Sequence, residues 1–168
     1  MGIDVMGIRL VKEREIHYDE PITNPEQALN AIIQEMQDLD REMLMTLNLN
    51  HKNKVINAHV VSVGGLDRSF VDPKSVFKAA LLSNASKILM FHNHPSGDCT
   101  PSVDDYNITE KIKNGCLYFN MELVDHIVIG KDKFFSIESG MENSYELVRN
   151  EESELSNKDL EEDHEIGS

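Results

Sequence analysis

Two histidines that directly follow a short, wholly apolar run have the spacing of metal ligands. His92 and His94 come after residues 88–91, and side chains two positions apart in extended backbone project to the same side. Asp105 lies in the first turn of a predicted helix, and residues 95–101 are long enough to fold that turn back over the strand end. Two imidazoles and one carboxylate, with a fourth position left to water, are the usual ligands of a catalytic zinc ion. The spacing therefore predicts a zinc site at His92, His94 and Asp105.

Zinc hydrolysis requires a general base as well as the three ligands. Bound zinc lowers the pKa of a water molecule to about 7, and a nearby side chain must accept the proton that this water loses. Asp98 lies in the loop, and Asp104 points away from Asp105 around the helix. Glu42, at the start of a strand expected in the same sheet, is the better candidate, although spacing alone does not select it.

The elements that must position these residues follow from periodicity and turn signals. Alternating runs predict strands, a wholly apolar run predicts a strand buried on both faces, and capping residues with proline mark helix starts. Strands are predicted over residues 8–18, 43–49, 55–63, 88–91, 123–129 and 134–137. Helices are predicted over residues 23–36, 73–82 and 102–116.

Length and charge distribution predict one domain with extensions. A chain of 168 residues can bury one substantial core, so we expect a strand and helix in residues 1–40 to join a metal-binding unit over 41–140. The net charge is −14, and residues 138–168 hold 11 acidic and 2 basic side chains. We therefore predict a flexible acidic tail over 141–168. The part before residue 138 has a balance of only −5 and no basic stripe, which argues against strong DNA binding.

The sequence also bears on location. No apolar run is long enough to cross a membrane, and the first residues lack the layout of a signal peptide. The two cysteines, Cys99 and Cys116, do not have the spacing of a disulfide framework. We therefore expect a cytoplasmic protein with reduced thiols and no membrane partner.

The predicted site also matches a known signature. The segment His-Asn-His-Pro at residues 92–95, with Ser102 and Asp105 after it, fits the pattern His-x-His-Pro-x6-Ser-x2-Asp. It resembles the metalloprotease signature of the JAMM, or MPN-plus, domain. The longer string over residues 92–98, together with Pro101, is similar to the RadC-like branch of that family. The likeness extends from about Arg9 to Ser139.

This resemblance implies a fold and a mechanism. The fold would be an α/β domain of the JAB/MPN type, a cytidine-deaminase-like curved mixed β-sheet flanked by helices. Zn²⁺ would be bound by His92, His94 and Asp105, with Glu42 as general base and Ser102 steadying the tetrahedral intermediate. The implied activity is that of a zinc metalloprotease or isopeptidase with a protein or peptide substrate.

Three features depart from the family pattern. Asn93 stands where deubiquitinating members have Ser or Thr, which argues against a ubiquitin-type substrate. Cys99 replaces a proline that is more usual in RadC-like chains, and its thiol could act as an extra metal ligand or oxidise. A helix-hairpin-helix region, found at the N-terminus of longer RadC proteins, is expected to be lacking from this short form, and with it their DNA-binding element.

Other functions and other roles for the same residues stay open. The alternative functions are a DNA-repair-associated protein or nuclease, as the family name suggests, and a non-catalytic MPN-type scaffold. The motifs of a zinc nucleobase deaminase are absent from the sequence. Ser102 can cap a helix with Asp105 answering it, and Glu42 can be a solvated surface carboxylate. The pair Asp125-His126 fits either a structural hydrogen bond or a pair that orients a metal ligand.

Overall fold

A mixed six-stranded sheet dominates the part of the chain that the computed structural model describes, which comprises residues 3–18, 20–64 and 71–145. The strands are β1 (Met43–Leu49), β2 (Val55–Val63), β3 (Lys87–Asn93), β4 (Glu122–Ile129), β5 (Lys133–Ser136) and β6 (Met141–Ser144). The helices are α1 (Pro25–Asn30), α2 (Ile33–Met36), α3 (Pro73–Leu82) and α4 (Val103–Tyr118). Among these helices, none is long and apolar enough to cross a membrane.

The strands lie in the order β2-β1-β3-β4-β5-β6. Only β3 and β4 run parallel, and α4 connects them, because parallel neighbours need a crossover connection. The other neighbouring pairs are antiparallel. This α/β arrangement, a mixed sheet with flanking helices, confirms the predicted fold class.

Helices cover both faces of the sheet, and strand alternation decides which residue meets which helix. Leu44, Ile88 and Met90 belong to a buried cluster with residues of α3 and α4. The neighbouring positions Met45 and Phe91 belong to a second cluster with residues of α1 and α2. Every residue of β1 is buried, as expected of a strand between two helical layers.

The buried stripe of α4 carries the predicted ligand Asp105 to the sheet. Asp105, Thr109, Ile112 and Cys116 recur at helical spacing and are all buried. Ile112 and Cys116 pack in the same cluster as Met90 of β3. Packing of the helix core therefore places its first turn over the end of β3.

The strand predicted over residues 8–18 is not formed. Residues 3–18 adopt neither helix nor strand, and their alternating apolar residues Ile8 and Leu10 are 76% and 49% exposed. An isolated extended segment gains little stability unless it pairs with a sheet, and this segment has no strand partner in the described sheet. The helix predicted over residues 23–36 is also divided into α1 and α2, because the Ile32 N–H bonds the Leu29 C=O three residues back.

The acidic tail was predicted to begin too early. Met141–Ser144 forms β6, which pairs with β5 across a turn in which Gly140 has a positive φ of 66°. Its residues are mostly exposed and polar, so periodicity gave no signal for an edge strand here. The rest of the predicted tail, residues 146–168, lies outside the described part of the chain, and the three-part division stays a prediction.

Candidate metal centre

Strand alternation aims the predicted site residues at one point. His92 continues the alternation of Ile88 and Met90 along β3, so it faces α4. Leu44 of β1 lies beside His92 in the antiparallel register and belongs to the same cluster. Glu42, two residues before Leu44, therefore projects to this same face of the sheet.

The structure brings His92, His94 and Asp105 together. One ligand atom from each lies within 4.8 Å of the other two. The Nδ1 atom of His92 is 3.0 Å from Asp105 Oδ1, and the Nε2 atom of His94 is 3.5 Å from Asp105 Oδ2. In a tetrahedral zinc site with bonds of about 2.0 to 2.1 Å, neighbouring ligand atoms lie about 3.3 Å apart. Both observed distances lie close to this value, and the three ligand atoms all lie within 4.8 Å of one another, so the residues form a possible metal site.

Hydrogen bonds fix the tautomer of His94 and its orientation. Its Nδ1 atom lies 2.8 Å from the carbonyl oxygen of Asp98, and because a carbonyl only accepts, Nδ1 carries the hydrogen. The Nε2 lone pair is thereby left for a metal. The neighbouring Asp105 carboxylate raises the pKa of His94 by favouring the charged imidazolium, and partial burial opposes this effect.

The charge of Asp105 is favoured although the residue is buried. Burial alone would raise the pKa of this carboxyl, but the adjacent His92 and His94 imidazoles and the hydrogen bonds from Ser102 outweigh that effect and hold its pKa well below the usual range. A carboxylate that stays ionised beside two imidazoles is the donor set that a divalent ion such as zinc requires. The chemistry of these residues therefore fits the predicted metal.

Glu42 lies beside this cluster, as its place directly before β1 implies. Its Oε2 atom is 3.7 Å from His92 Nε2, and its side chain is 40% exposed. A carboxylate so placed reaches both the cluster and solvent, which is the position that a general base needs.

Ser102 forms the predicted capping box at the start of α4. Its Oγ atom accepts from the Asp105 N–H and donates to Asp105 Oδ2 at 2.7 Å, while the Ser102 N–H also donates to Oδ2 at 2.7 Å. The same hydrogen bonds therefore cap α4 and orient the carboxylate of Asp105, a predicted metal ligand.

Asp125 and His126 have separate surroundings. Asp125 accepts hydrogen bonds from the Ser136 hydroxyl and from the N–H groups of His126 and Glu138, which fastens β4 to the end of β5. Burial raises the pKa of Asp125. This carboxylate therefore has a structural role, one of the two alternatives left open by the sequence.

His126 lies beside the predicted metal ligands. Its Nδ1 atom is 2.7 Å from the Thr109 hydroxyl, which in turn donates to the Asp105 carbonyl, and its ring centroid is 6.3 Å from that of His92. Burial, followed by the neighbouring His92, lowers the pKa of His126 to about 3. Sequence reasoning missed Thr109, although its place four residues after Asp105 puts both on one helix face.

Cys99 faces away from the ligands. Its Sγ atom lies 3.6 Å from Glu142 Oε2 of β6, and the residue is 2% exposed. Within the described ranges, it is not one of the residues grouped around the possible metal position.

A shallow groove runs beside His94. Among the residues lining it are Met36, Leu39, Ile129 and Lys131, so apolar walls stand next to one charged side chain. Of the three predicted ligands, His94 is the one that lines this groove, whose Met36 and Ile129 walls belong to the cluster on the α1–α2 side of the sheet.

Comparison with known proteins identifies the family. Residues 22–143 match the RadC-like JAB domain. The chain is 40% identical over 116 residues to a UPF0758 protein of Clostridium perfringens, covering 69% of this chain and 51% of that protein. It is 42% identical over 124 residues to a UPF0758 protein of Clostridium beijerinckii, with coverages of 74% and 54%. For a UPF0758 protein of Methanosarcina mazei the identity is 36% over 131 residues, with coverages of 76% and 57%.

These matches extend over most of this chain but only part of each relative. The chain spans about half the length of the curated relatives that it matches. The matched residues include every strand of the sheet except the last residue of β6, and all the predicted site residues. The chain belongs to the RadC-like JAB domain family.

Proposed function

We propose that this protein is a zinc-dependent hydrolase of the JAMM type, a metalloprotease or isopeptidase that cleaves an amide or isopeptide bond. The observation that carries the proposal is the convergence of His92, His94 and Asp105 within 4.8 Å, with the Glu42 carboxylate beside them. Two imidazoles and a carboxylate leave one position of a tetrahedral zinc ion open, and an open position is the mark of catalytic zinc sites.

In this proposal Glu42 transfers protons, and the three predicted ligands bind the metal ion. A bound zinc ion supplies a water of lowered pKa and polarises the carbonyl of the scissile bond. Glu42 accepts a proton from the attacking water and returns it to the nitrogen of the leaving amine as the C–N bond breaks. His92, His94 and Asp105 hold the ion, and the bond from His94 to the Asp98 carbonyl keeps that imidazole oriented.

Ser102 has two roles that alternate in the proposed mechanism. Its hydroxyl hydrogen is donated to Asp105 Oδ2 in this structure, so it steadies the ligand. To donate to the oxyanion instead, the hydroxyl must rotate away from Asp105, because one hydrogen serves one strong acceptor. The side chain is exposed, so a substrate carbonyl can reach it.

The groove beside His94 supports a protein or peptide substrate. Its apolar walls, which include Met36 and Leu39, fit an apolar side chain, and Lys131 at the same groove adds a positive charge. A peptide segment in this groove would meet the site at His94, the predicted ligand that lines it.

Metal analysis combined with a screen of peptide and isopeptide libraries tests the proposal. We expect about one zinc per chain in the wild type and in Glu42→Gln, and loss of zinc in His94→Ala. Glu42→Gln should lower kcat by about 10² to 10⁴-fold, the usual contribution of a general base. Glu122→Gln is the matched control, because Glu122 is an exposed carboxylate at the start of β4, at the opposite end of the β3–β4 register from His92.

Three results would contradict parts of this proposal. An unchanged rate in Glu42→Gln removes Glu42 as the base. Loss of zinc in that variant makes Glu42 a ligand instead. A wild-type protein that does not bind added zinc favours a non-catalytic scaffold.

A further inference from the structure

Asn93 stands between the two metal-binding histidines, and its buried side chain reaches across to β1. Its Oδ1 atom accepts a hydrogen bond from the Met43 N–H at 2.7 Å, and its Nδ2 atom donates to the Arg41 carbonyl at 2.9 Å. These two main-chain groups lie on either side of Glu42. The Asn93 carboxamide therefore hydrogen-bonds the main chain immediately before and immediately after Glu42, the proposed general base.

The two Asn93 hydrogen bonds lie just beyond the last main-chain pair of β1 and β3. The antiparallel register of β1 and β3 ends at the pair Leu44–His92, so the next rung has no main-chain partner across the two strands. The Asn93 side chain supplies that rung. On the other side, the Gly64 N–H donates to the Glu42 carbonyl at 2.8 Å. The backbone of Glu42 is thus held from both neighbouring strands.

The position of the Glu42 carboxylate depends on this backbone support. Its side chain is 40% exposed and lies 3.7 Å from His92 Nε2, a distance too long for a hydrogen bond. A half-exposed side chain with so weak a contact is aimed mainly by its own main chain. A small shift of the Arg41–Met43 segment would therefore move the carboxylate relative to the metal ligands.

Only a carboxamide can make both hydrogen bonds, one to the Met43 N–H and one to the Arg41 carbonyl. Asparagine offers one acceptor and one donor in a single plane, as the Met43 N–H and the Arg41 carbonyl require. Aspartate has the same shape but no donor, and its charge would face the Arg41 carbonyl. Serine or threonine has one hydrogen on a shorter side chain, so it cannot span both groups.

We propose that Asn93 is a positioning residue that holds Glu42 at the metal centre by bonding the main chain on both sides of it. This inference rests on the proposed function in so far as Glu42 is the general base. The end of β3 places His92 and His94. Through Asn93, which lies between them, it also fixes the distance from the predicted ligands to Glu42.

Crystal structures and zinc affinities test the positioning directly. Asn93→Asp and Asn93→Ala are compared with the wild type, all loaded with zinc. We expect the Glu42 carboxylate to be displaced from His92 in both variants, while the zinc Kd changes by less than about threefold because no ligand is altered. Asn93→Asp preserves the side-chain volume, so it tests the inference even where Asn93→Ala is too unstable to crystallise.

A double-mutant cycle supplies the kinetic test. With the substrate found in the library screen, Asn93→Asp should lower kcat by about 100-fold, as expected for a misplaced catalytic group, with KM unchanged. In the Glu42→Gln background the same change should have no further effect, because Asn93 acts through Glu42. Asn48→Ala is the control, since Asn48 is also a buried asparagine that bonds across strands, to Asn57 of β2.

Two outcomes overturn the inference. One is a Glu42 carboxylate that stays in place in both Asn93 variants. The other is an equal loss of kcat in the Glu42→Gln background, which would mean a general structural effect. If the wild type cleaves nothing, or if Glu42→Gln keeps full activity, the proposed function fails instead, and the crystal structures alone decide whether Asn93 positions Glu42.

Discussion

Ser102 links the stability of a helix to the geometry of a ligand. It accepts from the Asp105 N–H as an N-cap and donates to the Asp105 carboxylate. Replacing an N-cap serine by alanine costs about 1 kcal/mol of stability. At this position the same change also removes a hydrogen bond that orients the predicted ligand, so two measurable properties should change together.

We therefore expect Ser102→Ala to lower both the melting temperature and the zinc affinity, the latter by about 10-fold, as for other residues that orient a ligand. Calorimetry and competition with a fluorescent zinc chelator measure the two. Asn24→Ala is the control, because Asn24 caps α1 by accepting from the Gln27 N–H and lies in no metal cluster of the described residues. If both variants bind zinc as the wild type does, Ser102 is a cap and nothing more.

The two thiols should be unreactive in the folded protein. Burial is the largest cause that raises the pKa of Cys99 and of Cys116, the latter to about 11, so little thiolate exists at pH 8. We expect iodoacetamide at pH 8 to label both at least about 100-fold more slowly in buffer than in denaturant, as followed by mass spectrometry. Rapid native labelling of Cys99 would show that its contact with Glu142 does not persist in solution.

Cys99→Ser tests the position of that thiol in another way. Because Sγ faces Glu142 on β6, the serine variant should retain the zinc content of the wild type. A loss of zinc would return Cys99 to the set of ligands.

The loop that carries His94 is packed tightly against the turn between β4 and β5. A Cβ atom on Gly130 would lie 2.4 Å from the Gly97 carbonyl oxygen and 2.9 Å from the Cys99 nitrogen. Main-chain bonds from His94 N–H to the Ile129 carbonyl and from Lys131 N–H to the Gly97 carbonyl join the same two segments. This close approach requires glycine at residue 130.

We expect Gly130→Ala to push the loop away from the turn and to lower zinc affinity by at least about 10-fold, because the clash is with backbone. Gly115→Ala is a matched substitution of the same kind, since its Cβ would meet the Phe77 ring at 2.6 Å in the α3–α4 packing. It should lower the free energy of unfolding without altering zinc affinity. Equal zinc affinities for both variants would contradict the proposed packing role of Gly130.

Sequence patterns predicted the strongly periodic elements and the ligand triad, and they failed where position depends on distant partners. β1 to β5, α3 and α4 were visible because each buries one or both faces in a regular pattern. The alternating residues 8–18 were misjudged because alternation does not show whether a sheet edge is available. β6 was missed because its edge position leaves Met141 and Glu142 exposed.

Within the site, too, sequence patterns fail for residues whose position depends on partners distant in the sequence. His92, His94 and Asp105 are close in sequence, so their spacing carried the prediction. Glu42 came mainly from family resemblance, because its place beside His92 results from strand register across 50 residues. Nothing in the spacing alone could show that Asn93 hydrogen-bonds the main chain on both sides of Glu42.

The length of the folded unit can be tested by truncation at two neighbouring points. β6 pairs with β5, and the Tyr145 hydroxyl lies 2.8 and 3.0 Å from the carbonyl oxygens of Gly130 and Lys131, either of which can accept its hydrogen. A chain ending at residue 145 keeps these contacts, whereas one ending at 140 loses them together with the Lys133–Glu142 ion pair.

We expect the 1–145 chain to match the full chain in melting temperature and zinc affinity. The 1–140 chain should be weaker in both, because β5 becomes an exposed edge and the turn beside the His94 loop loses its support. Thermal unfolding and zinc titration of the three proteins make the comparison. A 1–140 chain as stable as the full chain would restore the boundary first predicted from the sequence.

Glu42 directly precedes β1, His92 and His94 lie at the end of β3, and Asp105 lies in α4. The proposed metal position therefore exists only when the sheet and its crossover helix are assembled. A ligand that binds the folded state alone stabilises it by mass action, by about 2.7 kcal/mol when its free concentration is 100 times Kd. The amount of available zinc would then set how much of this protein survives heat or proteolysis. If the proposed zinc site is correct, a chelator would remove this increment and lower the melting temperature while leaving every apolar contact in place.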